Sequence, residues 1–117
     1  MKILAIMGSP KGRGNGFRAV KKIEDYMKVN KEVDFDYKFI KDLNIEMCKG
    51  CFLCVKRDEK MCPIDDGLSL LKEDIKSADG IILSSPGYVS NVSAIMKNLI
   101  DRFAYLNHRP EYFDKKM

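Results

Sequence analysis

The sequence predicts an α/β fold, a doubly wound parallel sheet with helices on its faces, and three observations predict it. Two short, nearly continuous apolar runs, Lys2–Met7 and residues 81–83, have the pattern of strands buried on both faces, which belong to parallel sheets. Each run ends in a loop that carries glycine and proline, Gly8-Ser9-Pro10 and Ser85-Pro86-Gly87. The stretches between them place apolar residues at helical spacing. The elements therefore alternate strand, helix, strand, helix, strand, helix, an order that right-handed crossovers close into a parallel sheet.

Residues 2–7 are the first strand. Residues 15–29 follow as a helix with Phe17, Val20, Ile23 and Met27 on one face and Asn15 as its cap. From 33 to 40 the pattern changes to alternation. Val33, Phe35, Tyr37 and Phe39 face one way and Asp34, Asp36 and Lys38 the other, as in a half-exposed strand at a sheet edge. Residues 66–78 read as an amphipathic helix with Leu68, Leu71 and Ile75 inward, and Asp65 and Asp66 ahead of it read as caps rather than an acid–base pair. The third strand, 81–83, leads through a second loop to a helix over about 91–105. The tail from 106 contains Arg109-Pro110 and adds no strand. With 117 residues and no repeat or linker, the chain reads as one small domain, 1–117.

In a sheet of order 2-1-3 the first and third strands flank the switch point, so their two loops open onto one crevice. The first loop, Gly8-Ser9-Pro10-Lys11-Gly12-Arg13-Gly14-Asn15-Gly16, joins a buried strand to a helix N-terminus. Its glycines let amide N–H groups turn inward beside the positive end of the helix, an arrangement that holds a phosphate. Ser9, Asn15 and Arg13 could add side-chain bonds, and Lys11, Arg13 and Arg18 concentrate positive charge there. Neither G-x-G-x-x-G nor G-x-x-x-x-G-K-[ST] is present. In the second loop, residues 85–91, Tyr88 could wall a flat cofactor whose polar edge meets main-chain groups of 86–91.

Cys48, Cys51, Cys54 and Cys62 are the only cysteines, spaced C-x2-C-x2-C-x7-C. Thiols this close, where reduction prevents lasting disulfides, serve metal or redox chemistry. Three at steps of three residues, with Gly50 loosening the turn, can surround one face of an iron–sulfur core that the fourth closes. A four-thiolate zinc site and redox-active or buried thiols are the alternatives.

The composition narrows the partners. A net charge of +4, with acidic residues mixed among the basic ones, argues against a nucleic-acid platform. No apolar run approaches the ~20 residues of a spanning helix, and the N-terminus is too short for a secretory leader, so a cytoplasmic protein without membrane attachment is expected. His108 reads as a surface residue, and Asp101 with Arg102 as a solvated pair.

Three motifs together, GSPKGRGNG after the first strand, CKGCFLC followed by CPIDD, and SSPGYVSNVSAIMKNLIDR after the third, resemble the flavodoxin-like NADPH-dependent FMN reductases, specifically the iron–sulfur flavoprotein branch. The resemblance covers nearly the whole chain. It implies an FMN-dependent electron-transfer oxidoreductase supplied by NAD(P)H or a redox protein. FMN would have its phosphate at Ser9, Lys11, Arg13, Asn15 and Gly16 and its ring at Pro86, Gly87, Tyr88 and Asn91. A 4Fe-4S cluster would rest on Cys48, Cys51, Cys54 and Cys62. Two departures stand out. Gly16 replaces the usual Thr or Ser, and the fourth and fifth strands of the flavodoxin-like sheet are absent, which makes the fold incomplete. An apolar face formed by Met96, Leu99, Ile100 and Phe103 beside an open third strand is then expected, covered in a homo-oligomer or by a chain supplying the missing half. The alternative reading is a non-catalytic half-domain, or gene remnant, that binds no flavin and acts by association.

Overall fold

The computed structural model describes residues 1–108, and the expectation for the tail at Arg109-Pro110 lies outside them. β1 (Lys2–Met7), β2 (Asp34–Phe39) and β3 (Gly80–Ser84) form a parallel sheet in the order β2-β1-β3. β1 takes the central place its unbroken apolar run predicts. Its Met7 pairs with Phe39 on one side and Ser84 on the other. The two-residue period of this strand divides the core. Leu4 and Ile6 join Leu68 and Leu71 of α3 (Leu68–Ser77) and Met96 and Leu99 of α4 (Ala94–Arg102). Ala5 and Met7 join Val20 of α1 (Asn15–Asn30), with half-buried Phe17, Phe35, Tyr37 and Phe39 packed around them. Each Leu or Ile buried in this way contributes about 1.5–3 kcal/mol.

Several expectations change in detail. Gly14, not Asn15, is the cap of α1, and Asn15 is its first helical residue, with Oδ1 accepting from Arg18. Ile23 is 45% exposed, and the buried place beside it belongs to Glu24. That carboxylate accepts hydrogen bonds from Lys21, Lys28 and the Tyr37 hydroxyl. Burial resists the charge, but these bonds outweigh it and pull the carboxyl down to about 2. Periodicity cannot anticipate this, because the partners that make a charge tolerable inside come partly from β2. The last helix is shorter than expected. The Ser93 hydroxyl caps α4 by accepting from Met96 N–H at 3.2 Å, and after Arg102 the chain tightens into a 3₁₀ turn, Ala104–Asn107.

The expected apolar face also contracts. Met96, Leu99 and Phe103 are buried in the cluster with Leu4 and Ile6, because α4 packs directly on the sheet. Ile100 and Leu83 stay exposed, Leu83 at 55%. Between them runs an apolar groove of about 420 Å³ along the outer side of β3, which Ile75, Ile81 and Leu106 also line. Among the described residues no strand pairs with that edge, and no helix is long and apolar enough to cross a membrane.

Candidate functional site

β1 and β3 end side by side, so the two loops leave from neighbouring strand ends. Gly8 N–H donates to the Ser84 carbonyl at 2.7 Å and prolongs the ladder by one step. A Cβ at Gly8 would stand 2.7 Å from Met96 Cε, so glycine lets the chain turn against α4. Ser93 completes the junction. Buried at the start of α4, its hydroxyl donates to the Gly8 carbonyl while its N–H donates to Ser85 Oγ at 2.9 Å. One serine ties together the first loop, the second loop and the helix behind them.

In the first loop Gly12 adopts φ 73°, its N–H bonds the Ser9 carbonyl at 3.1 Å, and Ser9 Oγ accepts from Lys11 N–H. α1 begins with no side-chain cap and no acidic residue in its first turn, so the positive end of its dipole is not neutralised. A Cβ at Gly14 would meet nothing within 4 Å, whereas one at Gly16 would lie 2.7 Å from Ser84 Oγ. The Ser84 hydroxyl thus stands where a side chain at position 16 would begin. Lys11 and Asn15 are exposed. The Arg13 guanidinium lies over the Phe17 and Phe39 rings, 5.4 and 6.0 Å from their centroids.

The second loop is a tight reversal. Tyr88 and Asn91 exchange both backbone hydrogen bonds, at 2.8 and 3.0 Å, across Val89 and Ser90, which have φ of 50° and 59°. Positive φ in a β-branched residue is strained and is found where surrounding structure enforces it, often at ligand sites. Here the N–H groups of Tyr88 and Asn91 are engaged within the turn, and Asn91 Oδ1 accepts from Val92 N–H. Gly87 is left with open space around it, and the Tyr88 ring is partly exposed beside Pro86 and Gly87.

The four cysteines are free thiols that line one small cavity together with Asp101 and Arg102. Gly50 and Phe52, with φ of 67° and 58°, bend the chain between the first three, and α2 (Leu53–Lys56) carries Cys54. Burial pushes the Cys54 thiol up, and Cys62 and Cys48 add to the shift. Among the described residues no three His, Cys, Asp or Glu side chains converge as ligands of a single ion. His108 is exposed, as expected, and lines a groove with Cys48 and Cys54.

What holds this segment was not legible in the sequence. Arg102 is not solvated: its side chain is 2% exposed and donates twice to Asp66, itself 6% exposed, at 2.6 and 3.2 Å. Arg102 also donates to the Glu46 carbonyl, while Asp66 accepts from the N–H groups of Glu46 and Leu68. Asp66 does sit at the start of α3, as its reading as a cap requires, yet it serves equally as the buried partner of α4. Asn98, one turn earlier on α4, donates to the Ile45 carbonyl. The chain is thus gripped just before Cys48 and just after Cys62.

A model of the NADPH-dependent FMN reductase family matches residues 1–117. The chain belongs to that family. An iron-sulfur flavoprotein of Archaeoglobus fulgidus is 39% identical to it over 102 residues, 87% of this chain and 48% of that protein. One from Methanosarcina thermophila is 38% identical over 111 residues, 93% and 56% of the two chains. An FMN-dependent NADH:quinone oxidoreductase of Metamycoplasma arthritidis is 30% identical over 114 residues, 95% and 56%. These similarities place the chain in the iron–sulfur flavoprotein branch of the FMN reductase family. It spans about half the length of the curated relatives it matches.

Within this FMN reductase family member, two further residues belong with the site. Ser93 lies in the quoted SSPGYVSNVSAIMKNLIDR, and its signal, a serine three residues before Met96 in an apolar helix, is that of a cap. For Arg102 no local signal exists, since its partner lies 36 residues away.

Proposed function

We propose that the chain is the cofactor-binding part of a flavin-dependent oxidoreductase, a single domain over 1–117. It would hold FMN between the loops at 8–16 and 85–91 and a four-iron, four-sulfur cluster on Cys48, Cys51, Cys54 and Cys62. The observation that carries this reading is the Ser93 junction, which fixes a glycine loop and an aromatic loop on adjacent strand ends at one end of α4, while the thiols gather at its other end. α4 has 9 residues, about 14 Å of rise.

The uncapped start of α1 and the open space at Gly14 suit a phosphate, with Ser9, Lys11, Asn15 and Gly16 around it. Arg13 would reach it by leaving the Phe17 and Phe39 rings. Ser84 would supply a hydroxyl in place of the one Gly16 lacks. Pro86, Gly87, Tyr88 and Asn91 would bear on the ring, with Tyr88 as an apolar wall. When bound, the flavin accepts electrons in pairs or singly, so NAD(P)H or a redox protein can serve as donor. A donor set made only of thiols suits an iron–sulfur core, and four reduced thiols suit the cytoplasm.

The open edge of β3 favours one addition. Its exposed Leu83 and the apolar groove beneath α4 suit a further parallel strand, of the kind the longer relatives have room for. Association of two copies through this face is the competing occupant. Anaerobic purification tests the main reading: FMN in a titration near one per chain, with iron and sulfide in near-equal amounts that Cys54→Ser removes. A chain that binds neither is the half-domain of the alternative reading. Zinc without sulfide moves the thiols to the structural-metal class.

A further inference from the structure

Arg102 has one polar atom that the anchor does not use. Its Nη1 serves Asp66 and the Glu46 carbonyl and its Nη2 serves Asp66, but Nε is buried with no hydrogen-bond partner. A buried cationic N–H without an acceptor is costly, and folded proteins rarely leave one so. This orphan belongs to a side chain that lines the same cavity as all four cysteines.

The geometry points to Arg102 as the residue that hydrogen-bonds the sulfur core held by the four cysteines, through Nε–H to a thiolate or sulfide sulfur. This rests on the cluster reading above and adds a role to it. Bound there, Nε gains the acceptor it lacks, and the core receives a donor that is fixed in place by Asp66. A cationic hydrogen bond to sulfur is stronger for the more negative of two redox levels. Arg102 therefore favours the reduced level and raises the reduction potential of the site, by a lever that depends on the buried ion pair and not on a ligand. Reduction here means one electron taken from an added chemical reductant such as dithionite, with no proton required.

The test uses the full chain reconstituted anaerobically with iron and sulfide. Replacing Arg102 alone strands Asp66, so the variant is Arg102→Met with Asp66→Asn, which leaves no buried charge unpaired. The expected result, read on the fraction of chain that takes up iron and sulfide, is a midpoint potential shifted downward in the double variant, while Asp66→Asn alone, which keeps the Arg102 donor but not its fixed place, shifts it downward by less. A loaded double variant with parental potential overturns the proposal. An independent readout needs no substitution. With arginine Nε labelled by nitrogen-15, one buried Nε–H signal of the parent should shift and broaden when the core is inserted, and none doing so would equally overturn it. Sulfide uptake by the parent reports separately on the cluster reading, so a chain that takes up zinc and no sulfide fails that reading first.

Discussion

The crevice loops and the cysteine segment are built by different physics. The loops are continuations of the sheet: Gly8 extends the β1–β3 ladder, and Ser93 binds both loops through hydrogen bonds in a fully buried position. The cysteine segment lies outside the sheet, with Cys48 and Cys51 exposed, and its ends meet at one buried ion pair, Asp66 with Arg102. A site welded to a sheet keeps its shape when single contacts are lost. A site hung on one ion pair does not. Breaking the two anchors in turn should therefore have unequal consequences.

The largest effect is expected from Asp66→Ala. It leaves Arg102 buried beside uncompensated backbone groups, and removing one member of a buried pair costs about 3–5 kcal/mol. Urea unfolding should show that loss, and the cysteine segment should become far more open to a thiol reagent than in the parent. The pH dependence has a definite sign. Burial alone would raise the Asp66 carboxyl, but Arg102 and the N–H groups of Glu46 and Leu68 hold it below its ordinary 3.8. Its contribution to stability is thus present above about 4 and fades as the pH falls through the lowered value. A variant as stable as the parent at neutral pH would mean that the ion pair is not the anchor.

Glu24→Gln sharpens the comparison by striking the sheet body away from the cysteines. The folded carboxyl lies near 2 against an ordinary 4.5. Its contribution is full above about 4.5 and is lost between there and 2. Because Lys21 and Lys28 are themselves 41% and 50% exposed, screening reduces the expected loss at pH 7 to roughly 2 kcal/mol. The acid limb of the stability curve should flatten, while thiol reactivity in the native state stays that of the parent. Increased reactivity would show that the two regions are mechanically coupled.

The same contrast explains what could be read from the sequence. The strands, their order and the two glycine loops follow from signals that lie within a few residues, such as the apolar run of β1 and the alternation of β2. The thiols were visible by spacing alone. Glu24 and Arg102 were not, since each is a charge made tolerable by partners from other elements, and a one-dimensional pattern records charge as exposure. The contraction of the apolar face has the same origin: the sequence pattern puts Met96 and Leu99 on a face that awaits a further strand, but β1 and α3 already cover them.

Ser93→Ala removes a helix cap and the tie to the Gly8 carbonyl, while the N–H of residue 93 keeps its bond to Ser85 and the sheet continues to place both strand ends. The expected cost is about 1–2 kcal/mol, and the Gly8 carbonyl loses its donor. FMN affinity should fall more than the stability loss alone explains, because the loops can then part. Equal affinity with reduced stability would confine Ser93 to capping.

The smallest effect on stability, and the most selective on binding, is expected from Gly14→Val. Gly14 has φ −90° and ψ −151°, which any residue adopts, and its missing Cβ faces open space. The protein itself therefore has no objection to a side chain there, beyond a cap preference below about 1 kcal/mol. A phosphate seated on the first turn of α1 would object, because the valine methyls would enter the space through which its oxygens reach the amides. FMN affinity is expected to fall about tenfold or more, equivalent to about 1.4 kcal/mol, at nearly unchanged thermal stability. Titration of the folded variant decides it: parental affinity would move the phosphate away from the start of α1, while the Ser93 junction would still hold the crevice together.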